Sequence, residues 1–199
     1  MSRVSACRPI RYHRAMTAVP KEHLTVDEYL AWARGKPGRY ELYRGTVRAM
    51  SPEGAGHAKA KFALQTALAA GVRARRLPCY MMPDGMTVRI DKQTAFEPDA
   101  LVYRGKEVAP SALEIPNPVI VVEVISPSTR RIDEVKKLSL YFRLPSVAHY
   151  LIVDIDQRLI LHHARSTDDT ALTRIVREGM ITLDPPGLEL AVEDVFSET

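Results

Sequence analysis

The clearest pattern of apolar positions lies at residues 118–125, where every residue except Glu123 is apolar and most are β-branched. A run of this kind is typical of a strand that is buried on both faces of a sheet. Glu123 would be buried with the strand, and a carboxylate in such a place is costly unless a cation or hydrogen bonds satisfy it. We therefore expect a metal ion or a lysine beside Glu123.

The pattern before this strand predicts two helices separated by a hairpin. Thr25 and Glu28 form a capping box that starts the first helix, which ends near residue 34. The other elements predicted in this part are strands at 39–43 and 46–50, a Gly- and Pro-containing loop at 51–56, a helix at 57–76, and strands at 79–82, 86–90 and 100–103.

The pattern after this strand predicts one more long helix, which Ser128 or Thr129 caps and which ends near residue 143. Strands follow at 149–154, 159–163 and 171–176, and an alternating segment at 188–196 ends in a short helix. Mostly strands, with helices before and between them, predict a single α/β domain.

Composition excludes several classes of protein. The chain has 199 residues, of which 46% are hydrophobic and 26% are charged, as in soluble globular domains. No apolar run approaches the roughly 20 residues that a membrane helix needs, and residues 1–15 lack the apolar centre of a secretory signal. Two cysteines, Cys7 and Cys79, form no disulfide framework and fit a reducing cytoplasm.

The net charge of +4 is confined to the N-terminus. Residues 1–15 contain four arginines and no acid, so residues 16–199 are formally neutral. We expect a disordered basic tail at 1–15 and a single domain at 16–199, and leave open whether the native chain starts at Met1 or Met16. The basic pI is therefore no sign of a nucleic-acid surface on the domain itself.

A second carboxylate, Asp99, follows Pro98 at the edge of a neighbouring strand. Carboxylates from two adjacent strands form a hard-oxygen site, which suits Mg²⁺ or Mn²⁺ better than zinc. The alternatives are a turn aspartate at Asp99 and a Glu123 side chain that extends to the rim of the sheet.

These residues resemble the PD-(D/E)xK nuclease superfamily, in which Pro-Asp is followed by a strand Glu and, two residues later, a Lys. The lysine position holds Ile125 here. The lysine lies on the following helix in the Uma-two family of "putative restriction endonucleases", to which this chain is similar from about residue 24 to 196. The matching pieces are Tyr40-Glu41-Leu42 with Gly45, Met50-Ser51-Pro52 with His57, Pro98-Asp99, residues 123–129, Asp133 with Lys137 and Tyr141, and residues 150–154.

The resemblance implies a restriction-endonuclease-like α/β fold with a central mixed β-sheet flanked by helices. It implies an endonuclease that hydrolyses DNA phosphodiester bonds with Mg²⁺ (or Mn²⁺), held by Asp99, Glu123 and the carbonyl of Val124. Lys137 would hold the attacking water and offset charge in the transition state. We expect a homodimer, since two sites cut a duplex most simply.

The resemblance also implies that Glu41 is a further acidic residue of the site and that His57 contacts a phosphate or donates a proton. The alternatives are a cross-strand pair of Glu41 with Arg48 and a helix-start histidine without chemistry. Lys137 has an alternative too, a surface ion pair with Asp133.

His162 and His163 lie on opposite faces of one strand, so they cannot ligate one metal, and we expect them to be structural. A second function stays open, a nuclease-like module that binds nucleic acid or a partner without cutting. The absent strand lysine and the neutral domain favour it modestly.

Overall fold

The computed structural model describes residues 23–125, 133–166 and 170–197, with the side chains of 133–135 excepted. The predicted basic tail and the predicted cap at Ser128 or Thr129 lie outside the described residues. The helices are α1 (Val26–Ala33), α2 (Ala55–Ala74), α3 (Asp133–Tyr141) and α4 (Val192–Phe196). The strands are β1 (Tyr40–Tyr43), β2 (Thr46–Ala49), β3 (Cys79–Pro83), β4 (Val88–Asp91), β5 (Thr94–Phe96), β6 (Ala100–Arg104), β7 (Pro118–Ile125), β8 (His149–Asp154), β9 (Leu159–Arg165), β10 (Ala171–Val176), β11 (Met180–Leu183) and β12 (Leu188–Ala191).

The central sheet is mixed and has six strands in the order β10-β9-β8-β7-β6-β3. The pair β7 and β8 is parallel, and the remaining neighbours are antiparallel. Parallel strands need a crossover connection, and α3 lies in the one that joins β7 to β8.

Strand β7 is buried at every position, as its sequence predicts. Val122 and Val124 pack on the side of α2 and α4, and Val121 and Ile125 pack on the side of α3. Because side chains alternate along a strand, Glu123 lies on the α3 side with Val121 and Ile125.

A smaller sheet of four strands, in the order β2-β1-β5-β4, packs with α1 around Leu42. The capping box of α1 is present as predicted, with Thr25 and Glu28 bonded to each other's backbone and side chain. Residues 97–99 run directly from β5 of this sheet to β6 of the central sheet. This short connection holds the two sheets side by side.

The structure differs from the sequence prediction mainly in short strands. Strands β5 and β11 were not predicted, because three or four residues are too few to show alternation reliably. The strands predicted at 79–82 and 86–90 follow each other in the chain but belong to different sheets. No helix among the described residues is both long and apolar enough to cross a bilayer.

Candidate active site

Charged side chains converge where the two sheets meet. Glu97 and Asp99 come from the connection between the sheets, and Glu41 comes from β1 of the smaller sheet. Glu123 comes from β7, and α3 supplies Lys137. Asp99, Glu97 and Glu123 are all buried, with exposed fractions of 4–8%.

Lys137 is held between two carboxylates. Its Nζ donates to Glu41 Oε1 at 2.8 Å and to Glu123 Oε1 at 3.0 Å. It also lies 5.1 Å from the centre of the Phe96 ring, within range of a cation–π interaction. Burial lowers the pKa of Lys137, but the carboxylates of Glu123 and Glu41 outweigh burial and raise it above its usual value. The ammonium is therefore charged at any physiological pH.

Glu123 is the buried carboxylate that the sequence singled out. Its Oε1 accepts from Lys137 and, at 2.9 Å, from the hydroxyl of Tyr141. Burial raises its pKa to about 7, although the Lys137 ammonium lowers it; Glu41 and Asp99 add to the rise. A single cation therefore does not fully offset the cost of the buried charge.

Asp99 is fixed by the backbone of the central sheet. Its amide donates to the carbonyl of Val122 at 3.0 Å, and its Oδ2 accepts from the amide of Val124 at 2.8 Å. His57 Nε2 lies 3.5 Å from the same Oδ2. Burial raises the pKa of Asp99, but His57, the Val124 amide and Lys61 together lower it below its usual value. Asp99 is therefore ionised at neutral pH.

A second ionic network lies on the α2 side of Asp99. Arg39 pairs with Glu53, with Asp84 at 3.2 Å and with Glu97 at 2.6 Å. Lys61 pairs with Glu53 and, at 2.9 Å, with Asp84. Burial raises the pKa of Glu97 against the lowering effect of Arg39.

Sequence reasoning missed this second network. Glu53, Asp84 and Arg39 lie in turns or loops, whose positions depend on tertiary structure alone. Lys61 did carry a signal, because it follows His57 by one helical turn on the face that also presents Leu64 and Leu68. A lysine on an apolar helix face needs a buried partner.

The structure brings the sequence-predicted site residues into one cluster of two halves. Lys137 contacts both Glu41 and Glu123 on the α3 side, while His57 lies against Asp99 on the α2 side. Val124 joins through its amide, and the metal contact predicted for its carbonyl stays a prediction.

Neighbouring residues include Arg48, whose place opposite Glu41 agrees with the alternative of a cross-strand pair. Lys136 is exposed. Arg48 faces Glu41 across the hairpin, and its guanidinium lies 4.6 Å from the centre of the Tyr43 ring. His149 and His162 contact each other, and His163 contacts Thr173.

The cluster carries more negative than positive charge. Counting histidine as neutral, six carboxylates face three cations among the described residues, and because the pKa of Glu123 is raised to about 7, the excess at neutral pH lies between two and three negative charges. The carboxylates are Glu41, Glu53, Asp84, Glu97, Asp99 and Glu123, and the cations are Arg39, Lys61 and Lys137. A partly buried excess of this size favours binding of divalent cations, and carboxylate oxygens suit hard ones.

The chain is similar to known proteins over most of its length. The sequence model of the Uma2 (Uma-two) family, described as "Putative restriction endonuclease", matches residues 26–193. An uncharacterized protein of Synechocystis sp. is 25% identical over 181 residues, which is 90% of this chain and 94% of that protein. A second uncharacterized Synechocystis protein is 23% identical over 141 residues, or 70% of this chain and 79% of its own length.

The fold also has a counterpart among solved structures. The crystal structure of a "putative nuclease belonging to DUF820" from Anabaena variabilis superposes with a TM-score of 0.67 at 16% identity, covering 87% of this chain and 98% of that one. This likeness confirms the nuclease-like α/β fold. Because the family model spans nearly all of the domain, the chain belongs to the Uma2 family of "Putative restriction endonuclease" proteins.

Proposed function

We propose that the protein is a Mg²⁺-dependent endonuclease that hydrolyses phosphodiester bonds of DNA. The main support is the Lys137 ammonium, which lies between Glu41 and Glu123, and Glu123 is in turn close enough to Asp99 for their charges to interact. Two carboxylates on adjacent strands with a lysine beside them is the arrangement that the PD-(D/E)xK pattern requires. Family membership supports the same chemistry.

We assign the binding of Mg²⁺ (or Mn²⁺) to Asp99, Glu123 and the carbonyl of Val124. The donor set fits, because it consists of hard oxygens in a cluster with excess negative charge. When bound, the cation supplies electrophilic activation of the scissile phosphate. Asp99 is ionised and held rigidly by β7, so it needs little reorganisation to act as a ligand.

Lys137 positions the attacking water and offsets negative charge in the transition state. An ammonium has three N–H donors, of which two are directed at Glu41 and Glu123. We assign the third to the water or to a phosphate oxygen. Glu41 keeps the ammonium aimed at this position, which makes it the further acidic residue of the site.

The test compares two neighbouring lysines on α3. We expect Lys137→Ala to abolish Mg²⁺-dependent nicking of supercoiled plasmid DNA, while Lys136→Ala retains nearly all activity because Lys136 is exposed. Both variants should bind Mg²⁺, since neither residue is a ligand. Activity in Lys137→Ala equal to wild type would rule out Lys137 as the catalytic cation.

The alternative is a nuclease-like module that binds nucleic acid or a partner without cutting. Its supports were the absent strand lysine and the neutral domain, and the contact of Lys137 with Glu123 weakens the first of them. Cation binding without nicking of any DNA tested would favour the module. A homodimer stays part of the proposal, and analytical ultracentrifugation measures it directly.

A further inference from the structure

A group of candidate metal ligands lies beside the proposed Mg²⁺ site and consists of Glu53, His57 and Asp99. His57 Nε2 lies 3.5 Å from Asp99 Oδ2 and 4.0 Å from Glu53 Oε1. One ligand atom from each residue lies within 4.8 Å of the others. Asp99 is common to this group and to the proposed Mg²⁺ site.

The two distances from His57 Nε2 lie in the range found between ligands of one cation. At a metal–ligand distance of about 2.1 Å, octahedral ligands are about 3.0 Å apart when adjacent and about 4.2 Å apart when opposite. The two distances from His57 Nε2 fall between these limits. A bound cation would therefore require only small side-chain movements.

Two unsatisfied buried atoms lie in the same place. Among the described residues, His57 Nε2 and the Nη2 of Arg39 are buried side-chain nitrogens without a hydrogen-bond partner. A buried polar atom without a partner is costly, and in native proteins it commonly indicates a missing water or ion. For His57 Nε2, a metal ion would remove this cost directly.

The local charge balance favours one divalent cation. Four carboxylates, Glu53, Asp84, Glu97 and Asp99, face two cations, Arg39 and Lys61. The excess of two negative charges equals the charge of one such ion, counting His57 as neutral.

Glu53 can bind a cation without leaving its present partners. Its Oε1 faces Arg39 and its Oε2 faces Lys61. Each carboxylate oxygen has two lone pairs, so it can bind a metal ion with one while it accepts a hydrogen bond with the other.

We propose that Glu53, His57 and Asp99 bind a divalent transition-metal ion, with Asp99 shared between this ion and the Mg²⁺ site. An imidazole ligand favours transition metals over Mg²⁺, which prefers an all-oxygen shell. The site rests on the proposed function for its role in catalysis, but its occupancy can be measured without any cleavage. His57 is then a metal ligand and not the phosphate contact or proton donor predicted from the sequence.

The competing explanation is an ion pair, in which a protonated His57 simply neutralises Asp99. The two explanations differ in whether a nitrogen atom is bonded to the metal. Pulsed electron paramagnetic resonance of bound Mn²⁺ detects such a nitrogen through its hyperfine coupling. The experiment uses the full chain with Mn²⁺ alone.

We expect nitrogen coupling in the wild-type protein and its loss in His57→Ala. A matched control is His23→Ala, which removes an exposed histidine outside the cluster and should retain the coupling. Glu53→Gln, on an exposed loop, should weaken binding of the nitrogen-coupled Mn²⁺ at least tenfold, measured from the intensity of the nitrogen coupling against Mn²⁺ concentration. This second variant serves as the test if His57→Ala does not fold.

Three results would overturn the site: no nitrogen coupling in the wild-type protein, coupling that persists in folded His57→Ala, or unchanged affinity for the nitrogen-coupled Mn²⁺ in Glu53→Gln. Cleavage of DNA by a chain without nitrogen coupling would disprove the site and leave the proposed function standing. Nitrogen coupling in a chain that cuts no DNA would support the metal site and contradict the proposed function.

Discussion

Individual site residues could be identified from the sequence where they interrupt the local pattern of apolar and polar positions. Glu123 interrupts an apolar strand, and the structure places a cation, Lys137, beside it as expected. Glu53 and Arg39 break no pattern, because polar residues are ordinary in loops. Their place in the cluster follows only from the tertiary fold.

A first prediction concerns the buried carboxylate. We expect Glu123→Gln to abolish cation-dependent cleavage and to change the free energy of unfolding by less than about 1 kcal/mol. The amide is neutral and so avoids the desolvation of a carboxylate; it keeps an acceptor for Tyr141 and leaves Glu41 to pair with Lys137. Urea unfolding in the presence of chelator measures the change. A loss of about 3 kcal/mol would instead identify Glu123 as a structural ion-pair partner.

A second prediction moves the lysine back to the strand. Ile125 lies on the same face of β7 as Glu123, two residues further along. We expect Ile125→Lys to restore part of the cleavage that Lys137→Ala removes, because a lysine there would extend towards Glu123. Single-turnover rates of the double and single variants provide the comparison. A double variant as inactive as Lys137→Ala would show that the ammonium must approach from α3.

Secondary-structure elements were predictable where local chemistry defines them. The capping box of α1 depends on side chains three residues apart, and β8 and β9 are strands of six and seven residues on either side of a short turn. Strand β5 has three residues and owes its place to its partners β1 and β4. Which sheet a strand joins is a long-range property that no local pattern contains.

The histidines of β8 and β9 give a third prediction. Burial, together with His149, lowers the pKa of His162 to about 4, from a usual value of 6.5. The unfolded chain therefore takes up a proton near pH 6.5, while the folded chain does so only near pH 4. Above pH 6.5, His162 is neutral in both the folded and the unfolded chain, and its burial does not lower the free energy of unfolding. As the pH falls from 6.5 to 4, the free energy of unfolding decreases by at most about 1.4 kcal/mol per pH unit, because only the unfolded chain takes up the proton.

The measurement is the difference in unfolding free energy between wild type and His162→Gln at several pH values. The difference is needed because Glu123, with its raised pKa, changes stability in the opposite direction over part of the range. A difference that stays constant between pH 6.5 and 4.5 would contradict the prediction.

At the scale of the whole molecule, the described residues form three sheets: the central sheet and the smaller four-stranded sheet, which lie side by side with the charged cluster at their junction, and the separate pair of β11 with β12. The α/β class could be predicted from the order of elements, and the central mixed sheet from the family resemblance. The division of the strands among three sheets could not, because the smaller sheet depends on β5 pairing with β1 of the N-terminal hairpin and with β4.

A fourth prediction concerns the distribution of charge over the whole chain. We expect deletion of residues 1–15 to leave cleavage by the bound enzyme unchanged and to weaken DNA association. The four arginines of this segment are its whole excess charge. Their loss should reduce the slope of log affinity against log salt by at most about 3.6, or about 0.9 for each phosphate contact. Fluorescence anisotropy with labelled DNA in chelator measures both quantities, and an unchanged slope would count against the tail as a DNA contact.

The distance along the chain between the partners of the cluster has a consequence for synthesis. Glu41 and Lys137 are 96 residues apart, although their side chains touch. At about 5–20 residues per second, a ribosome needs roughly 5–20 seconds to add the lysine after the glutamate. The acidic residues of the cluster are all added before the ammonium, and the last of them, Glu123, precedes Lys137 by 14 residues. We expect a nascent chain on the ribosome to be harmless to nearby DNA until α3 has left the exit tunnel and packed against the sheet.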